Sequence, residues 1–285
     1  MKNKTVLITG CTSGVGLATA EALAEKGANL ILVARNEKKL QEVVQNIQGK
    51  TGNANSRYYV ANFSSQKSIR SLAERVKKDY QVIDVLLNNA GAVFPKFQLS
   101  EDGLEMTIAT NHFGYFLLTN LLLDLVKKSD YARIINVASG SHYRGKIDFE
   151  SFTKNKGYFI LKAYEQSKLA NVLFTFHLAE QLKNTQVTVN CLHPGFVKTN
   201  IGNKDTAWYA GLVWTLSSLL GGLSPEEGAK TSIYLATSDE VKRVSGKYFD
   251  KCKVKQPSSL ALDRELQKKL WAVTENLCGT SVSKV

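Results

Sequence analysis

Tyr164 and Lys168 stand four residues apart in AYEQSKLANVLF, residues 163–174. Residues at i and i+4 share one face of a helix, so the spacing admits either a polar surface patch or a place where protons move. A free phenol has a pKa of about 10, too high for good proton exchange at neutral pH. An ammonium one helical turn away would stabilise the phenolate and lower that value. Such a pair suits the transfer of hydride to a carbonyl, which leaves an alkoxide in need of a proton and a hydrogen bond.

A second constellation lies near the start. TGCTSGVG, Thr9 to Gly16, follows an apolar run and opens a helical pattern. Gly10, Gly14 and Gly16 let the backbone turn tightly beside a pyrophosphate, and the helix start offers free N–H groups and a positive dipole end. The end of the second strand is VARN, with Arg35 and no carboxylate at 34–36. A guanidinium there pairs with a 2′-phosphate where an acid would bind a ribose diol, so the sequence favours NADP(H) over NAD. The alternative for Arg35 is a solvated residue at a strand end.

These residues must be positioned by an α/β architecture. Short apolar runs at 5–9, 29–34, 56–61, 83–88, 133–139, 187–193 and 246–249 alternate with helical patterns at 15–26, 37–48, 66–79, 102–128, 160–183 and 226–237. That alternation predicts a doubly wound (Rossmann) sheet of seven parallel strands with helices on both faces. The first six runs are apolar on both faces, as doubly covered parallel strands are. Ser224, Pro225 and Glu227 read as N-cap, N1 and N3 of the last of these helices. Residues 140–159 lack a period and read as a loop. One domain spans 1–285, with an apolar, glycine-containing segment at 207–223 and a C-terminal extension from about 250.

In chain order, the motifs resemble those of the short-chain dehydrogenases/reductases: Thr9 to Gly16, NNAG at 88–91, TNHFG with Asn111, RIINVAS with Ser139, Tyr164-x-x-x-Lys168, and HPGFVKT at 193–199. The Ser139-to-Tyr164 spacing, the continuation SKLANVLF and the tail KYFDKCK…LWAVTENLCG are similar to the retinol-dehydrogenase-like branch. The resemblance implies an oxidoreductase in which Tyr164 is the acid/base, Lys168 tunes it and holds the nicotinamide ribose, and Ser139 polarises the carbonyl. Read alone, Ser139 could instead cap the following loop, and Ser141 competes with it; the resemblance favours Ser139. Asn111, an amide in an apolar helix, is a structural tie or an anchor for water, and the resemblance implies a proton relay to the lysine.

The resemblance also implies a cofactor shell of Gly10, Thr12, Ser13, Gly14, Val15, Gly16, Arg35, Asn89, Gly91, Pro194, Gly195, Val197 and Thr199, besides Tyr164 and Lys168. Where the family has an aspartate ending the third strand, this chain has Asn62, whose amide oxygen is expected to accept from the adenine amino group. The segment from about 200 to 223 is expected to be a substrate lid, with core packing and contact with a membrane surface as alternatives.

Composition narrows the field. The net charge of +12 is dispersed, without a basic block interleaved with aromatics, which argues against nucleic-acid binding. The apolar stretch 106–126 contains Asn111, His112, Asn120 and Asp124 and reads as a buried helix. His112, His142, His177 and His193 have no spacing for a metal site, and the four cysteines suggest neither zinc nor disulfides. Cys11 reads as a small space-filling residue. The expectation is therefore a cytoplasmic NADP(H)-dependent enzyme interconverting a small apolar aldehyde or ketone and its alcohol. It would be a monomer, or a homodimer through helix 160–183, a surface that the basic C-terminal tail could cover instead. The rival readings are a cofactor-binding sensor without turnover and a carbon–carbon double-bond reductase.

Overall fold

A computed structural model describes residues 1–197 and 222–279. The sheet is built from β1 (Thr5–Thr9), β2 (Asn29–Ala34), β3 (Ser56–Val60), β4 (Val85–Asn88), β5 (Ala132–Val137), β6 (Val187–His193), β7 (Lys247–Asp250) and β8 (Lys253–Lys255). Its order is β3-β2-β1-β4-β5-β6-β7-β8, parallel except for the last pair. The order reverses between β1 and β4, so the loops leaving these two strands open a crevice at their carboxyl ends, where ligands of such sheets bind.

Strand alternation feeds two cores. Val6 and Ile8 of β1 pack with Leu23 of α1 (Gly14–Glu25), Leu40 and Ile47 of α2 (Glu37–Thr51), and Leu235 of the helix Pro225–Thr237. Leu7 points the other way, into a larger core with α3 (Gln66–Asp79), α5 (Gly114–Val126) and α6 (Ile160–Gln181). The helix at 225 is named α7 here, and Ser224 caps it by accepting from Glu227 N, with Pro225 in its first turn as the sequence predicts. A buried polar ladder crosses the second core: Asn88 Nδ2 donates to Thr119 and to Asn136 Oδ1, Asn136 Nδ2 donates to Thr175, and Thr175 donates to the Asn171 carbonyl. These bonds tie β4 and β5 to α5 and α6.

Three features depart from the sequence expectation. The sheet has eight strands instead of seven, because Lys251 and Cys252 take positive φ (50° and 60°) and turn β7 back as an antiparallel hairpin. Such a turn normally carries Asn-Gly or a glycine pair, and Lys-Cys is neither, so no residue pair marks it. The helix expected from 102 begins at α4 (Met106–Ile108), since Glu105 accepts from Thr107 N and Ile108 N and Gly103 sits in a turn at φ 72°. Between α4 and α5 the chain makes a π-helical turn, Ala109–Phe113, that carries Asn111.

The third is α8 (Arg264–Cys278), capped by Asp263 and lying in the C-terminal extension. It packs on α5 and α6: Trp271 stacks on Phe174 at 5.9 Å between ring centroids and meets Phe116 at 4.8 Å. Arg70 and Gln66 of α3 donate to the Cys278 and Leu277 carbonyls. The apolar side of helix 160–183, expected to suit a dimer, is thus covered in part by the chain's own last helix. Replacing Trp271 by Ala should lower the unfolding free energy by about 3–5 kcal/mol, as for other large aromatic-to-alanine core changes. Urea denaturation measures this, and a loss below about 1 kcal/mol would show that α8 is only loosely attached.

Candidate active site

The glycine-rich turn occupies the crevice between β1 and β4. Gly10 (φ 68°) and Gly14 (φ 57°) adopt left-handed conformations. Gly16 is required by close approach: a Cβ there would lie 2.3 Å from the Gly10 carbonyl oxygen and 2.4 Å from Asn89 Nδ2. Asn89 donates from Nδ2 to the Thr9 and Gly10 carbonyls, and the Thr9 hydroxyl accepts from the Asn89 and Ala90 amides. Asn89, expected on the adenosine side of a cofactor, thus braces the turn itself.

Helix α1 differs from its neighbours at its start. Asn36, Ser65, Ser224 and Asp263 cap α2, α3, α7 and α8 with their side chains, whereas Ser13 makes no such bond. No side chain caps the N–H groups at this start, and an anionic phosphate pair is the kind of group that fits free donors at the positive end of a helix. Thr12 lies in the same loop. Arg35 is exposed at the end of β2, next to Asn36. Asn62 is a different case: its Oδ1 accepts from both the N–H and the hydroxyl of Ser64. The oxygen expected to receive the adenine amino group is committed to a local turn, the usual habit of asparagine in loops.

The catalytic candidates converge beside this turn. Ser139 follows β5 in extended conformation (φ −164°) and caps the 3₁₀ turn Gly140–Arg144, its Oγ accepting from Ser141 N at 3.1 Å. It caps the loop, and its hydroxyl also faces Tyr164, where it opposes the burial that raises the Tyr164 pKa. Lys168 is buried on the same helix, and its Nζ donates to the Val137 carbonyl at 3.1 Å. Asn111 Oδ1 accepts from Ala92 N at 2.8 Å, while its Nδ2 donates to the Ala92 carbonyl and to Ser167 Oγ, both at 3.0 Å. Gly91 lies between the two: a Cβ there would sit 3.5 Å from Asn111 Oδ1 and 3.7 Å from Lys168 Nζ.

Two participants escaped the sequence reading. Ser167 joins Asn111 to the Tyr164 carbonyl, to which its hydroxyl donates at 2.8 Å. Asn171 donates to the Asn111 carbonyl at 2.9 Å, the partner that accompanies the π-turn. The available signal was polarity: Ser167 and Asn171 interrupt the apolar sequence of α6 and are fully buried.

Electrostatics here run against one expectation. Burial pushes the Tyr164 phenol up from its ordinary value, and only the Ser139 hydroxyl acts in the other direction. Lys168 does not offset the burial; its Nζ is turned to Val137 and lies 5.5 Å from the Tyr164 ring centroid. Burial pushes Lys168 itself down to about 8. Tyr164 is therefore protonated at neutral pH, ready to donate.

Of the remaining shell, Pro194, Gly195 (φ 84°) and Val197 follow β6, and Val197 pairs with Leu223 in a β-bridge that brings residues 222–224 back to the site. A Cβ on Gly195 would meet Leu223 Cδ1 at 2.4 Å. Thr199 and most of the segment expected as a lid lie outside the described residues. No group of His, Cys, Asp and Glu among the described residues could hold a metal ion, and none of their helices is long and apolar enough to cross a membrane.

The Lys168 shift has a sign that can be measured. Its folded pKa lies below the unfolded one, so the unfolded chain binds the extra proton between about pH 8 and 10.5 and stability rises with pH across that window. Relative to Lys168→Met, the cofactor-free wild type should gain up to roughly 3 kcal/mol of unfolding free energy over that range. Equal pH slopes for the two proteins would contradict a buried, depressed ammonium.

The family model described as short chain dehydrogenase matches residues 4–210. Human retinol dehydrogenase 13 is 40% identical over 291 residues, covering 99% of this chain and 86% of that protein. An uncharacterised protein from Mycobacterium paratuberculosis superposes with a TM-score of 0.78 at 29% identity, covering 99% of this chain and 96% of that one. A short-chain dehydrogenase from Shigella flexneri, solved with NADP, shares the fold with a TM-score of 0.71 at 24% identity, covering 89% of this chain and 98% of its own. With the family's model matching most of the sequence and a relative at 40% identity along nearly its whole length, the chain belongs to the short-chain dehydrogenase family and is an oxidoreductase.

Proposed function

We propose that the protein is an NADP(H)-dependent oxidoreductase that interconverts an apolar aldehyde or ketone and the corresponding alcohol. One observation carries this reading: a half-buried phenol whose surroundings keep it protonated, a serine hydroxyl facing it, and a buried ammonium one helical turn away meet beside a glycine-rich turn. A nicotinamide cofactor supplies hydride to the carbonyl carbon in one direction and accepts it in the other. The residues manage the oxygen. Ser139 gives a hydrogen bond to the substrate oxygen as negative charge builds on it, and Tyr164 transfers its proton to that same atom. Lys168 has three N–H donors and spends one on Val137, which leaves two for the ribose hydroxyls. Asn111 fixes the strand end at Ala92 and, through Ser167, the helix backbone at Tyr164, so the donor and the cofactor wall keep one spacing.

NADP(H) is supported by Arg35 at the end of β2 and by the lack of an acidic side chain at 34–36. An apolar substrate is supported by exposed Phe159 and Leu161 at the start of the helix that carries Tyr164, and by exposed Phe196 after Gly195. The name retinol dehydrogenase, borne by a relative 40% identical, points to the same substrate class. The four free cysteines suit a reducing compartment, so a cytoplasmic location belongs to the proposal. Fractionation of cells would test that part, and recovery only with membranes would overturn it.

Two variants test the chemistry. Tyr164→Phe should lower kcat by about 10²–10⁴-fold while NADPH affinity stays near that of the wild type. Retained turnover would remove Tyr164 from its role. Arg35→Ala should weaken NADPH binding by roughly 10- to 100-fold and leave NADH binding unchanged, the size of a hydrogen bond to a charged group. Equal efficiency of the wild type with NADH and NADPH in a panel of apolar carbonyls would refute the cofactor preference.

A further inference from the structure

Two buried histidines stand next to catalytic residues, and the scheme above uses neither. His112 follows Asn111 in the π-turn, and its Nε2 lies 2.9 Å from Thr274 Oγ1 on α8. His142 lies three residues after Ser139; its Nδ1 is 2.7 Å from the Ser139 carbonyl oxygen, and its Nε2 is 3.2 Å from Ser258 N. Ser258 and Thr274 both belong to the extension beyond β8. That extension reaches the Ser139 turn a second time, where the Tyr143 hydroxyl donates to the Gln256 carbonyl at 2.5 Å.

The chemistry at His142 allows one protonation state. The Ser258 N–H can only donate, so Nε2 presents its lone pair. The hydrogen then sits on Nδ1 and is given to the Ser139 carbonyl. The ring is fully buried and held between Tyr143 at 4.1 Å and Tyr248 at 4.7 Å. We propose that neutral His142 is a positioning residue: it fixes the Ser139 backbone to the C-terminal segment Gln256–Ser258 and thereby sets where the Ser139 hydroxyl meets Tyr164 and the substrate oxygen. This rests on the reading of Ser139 as the group that polarises the carbonyl.

The surroundings make the tie sensitive to acid. A second ring proton would face the Ser258 N–H donor to donor and break that bond. The charged and titratable groups around the ring offer no compensation. Lys255 on β8 and His193 on β6 both disfavour a second positive charge, Tyr143 and Tyr248 are neutral phenols, and the acid of this corner, Asp250, is paired with Lys255 at 2.8 Å. Burial is the largest influence and holds the imidazole below its ordinary value, so the neutral form persists at neutral pH. Gly140, in the same turn, lies against the His193 ring, with room for a Cβ only at 3.4 Å from Nε2, so the turn has little freedom to adjust on that side.

Ser258→Pro isolates the interaction. Ser258 has φ −62°, the angle that proline imposes, and its buried hydroxyl has no hydrogen-bond partner, so the substitution removes chiefly the N–H given to His142. His142→Phe keeps the stacked ring and removes both bonds. Each variant should lower kcat for carbonyl reduction by about 10- to 100-fold, the cost of small misplacement, with NADPH affinity and carbonyl KM nearly unchanged. In Ser258→Pro the tie is absent at every pH, so the acid decline of kcat that the wild type owes to His142 should disappear, and neutral pH should not restore the lost activity. Nitrogen-15 NMR of the wild type should show the Nδ1–H tautomer at His142, and the Ser258→Pro imidazole should titrate at higher pH. An Nε2–H tautomer in the wild type, or wild-type kcat and an unchanged acid decline in the folded variants, would overturn the proposal. Parallel loss of cofactor affinity would do so too, because it marks general loosening. Failure of the wild type to reduce any carbonyl would overturn the functional reading instead, and the NMR signals, which need no turnover, separate that result from an error about His142.

Discussion

Among the described residues a single ammonium group, that of Lys168, is held out of water, and much of the site is arranged around it. Taking such a charge from solvent is costly unless it is bonded, and among the described residues its one hydrogen bond goes to the Val137 carbonyl. The consequence is a lysine pushed down to about 8 with donors to spare. Such a group is poised for hydroxyl groups or for a neighbouring phenolate, and the polar side chains around it are fastened to one another. The ladder from Asn88 through Asn136 and Thr175 to Asn171 fixes β4 and β5 to the helix that carries Lys168. Asn111 and Ser167 fix the facing turn.

Division of labour follows from burial. Tyr164 is kept protonated by its environment, which makes the protein by itself a proton donor, hence suited to reduction; oxidation of an alcohol needs the phenolate and is favoured as pH rises. Stabilisation of that phenolate by Lys168, expected from their spacing, is not visible because the ammonium is turned toward β5. Spacing along a helix places two groups on one face but does not fix where a four-carbon side chain points.

The fold was largely legible because its signals are local. Apolar runs bounded by turns marked β1 to β7 within a few residues, and Ser224-Pro225-Glu227 marked the start of α7. What was missed depends on contacts between distant residues or on backbone without a residue signature. The β7–β8 hairpin turns on Lys251 and Cys252 at positive φ. The π-turn at Asn111 is matched to an amide from Asn171, 60 residues away. The glycine-rich loop reads from sequence as a cradle for phosphate, yet Gly16 is a glycine because Asn89 comes within 2.4 Å of where its Cβ would be. Asn62 shows the reverse: a strand-end residue looked free for a ligand but satisfies Ser64. In the same way His142 reads from sequence as an ordinary core histidine, since its partner Ser258 lies 116 residues further on.

The central claim is hydride transfer to a carbonyl carbon with proton delivery by the chain. It is tested most directly by following the label from NADPH deuterated at C4 of the nicotinamide into the product of an apolar aldehyde that also carries a carbon–carbon double bond. The account predicts an alcohol with deuterium on the carbinol carbon and the double bond intact. Deuterium on a saturated carbon of that former double bond, or cofactor binding with no labelled product, would contradict it.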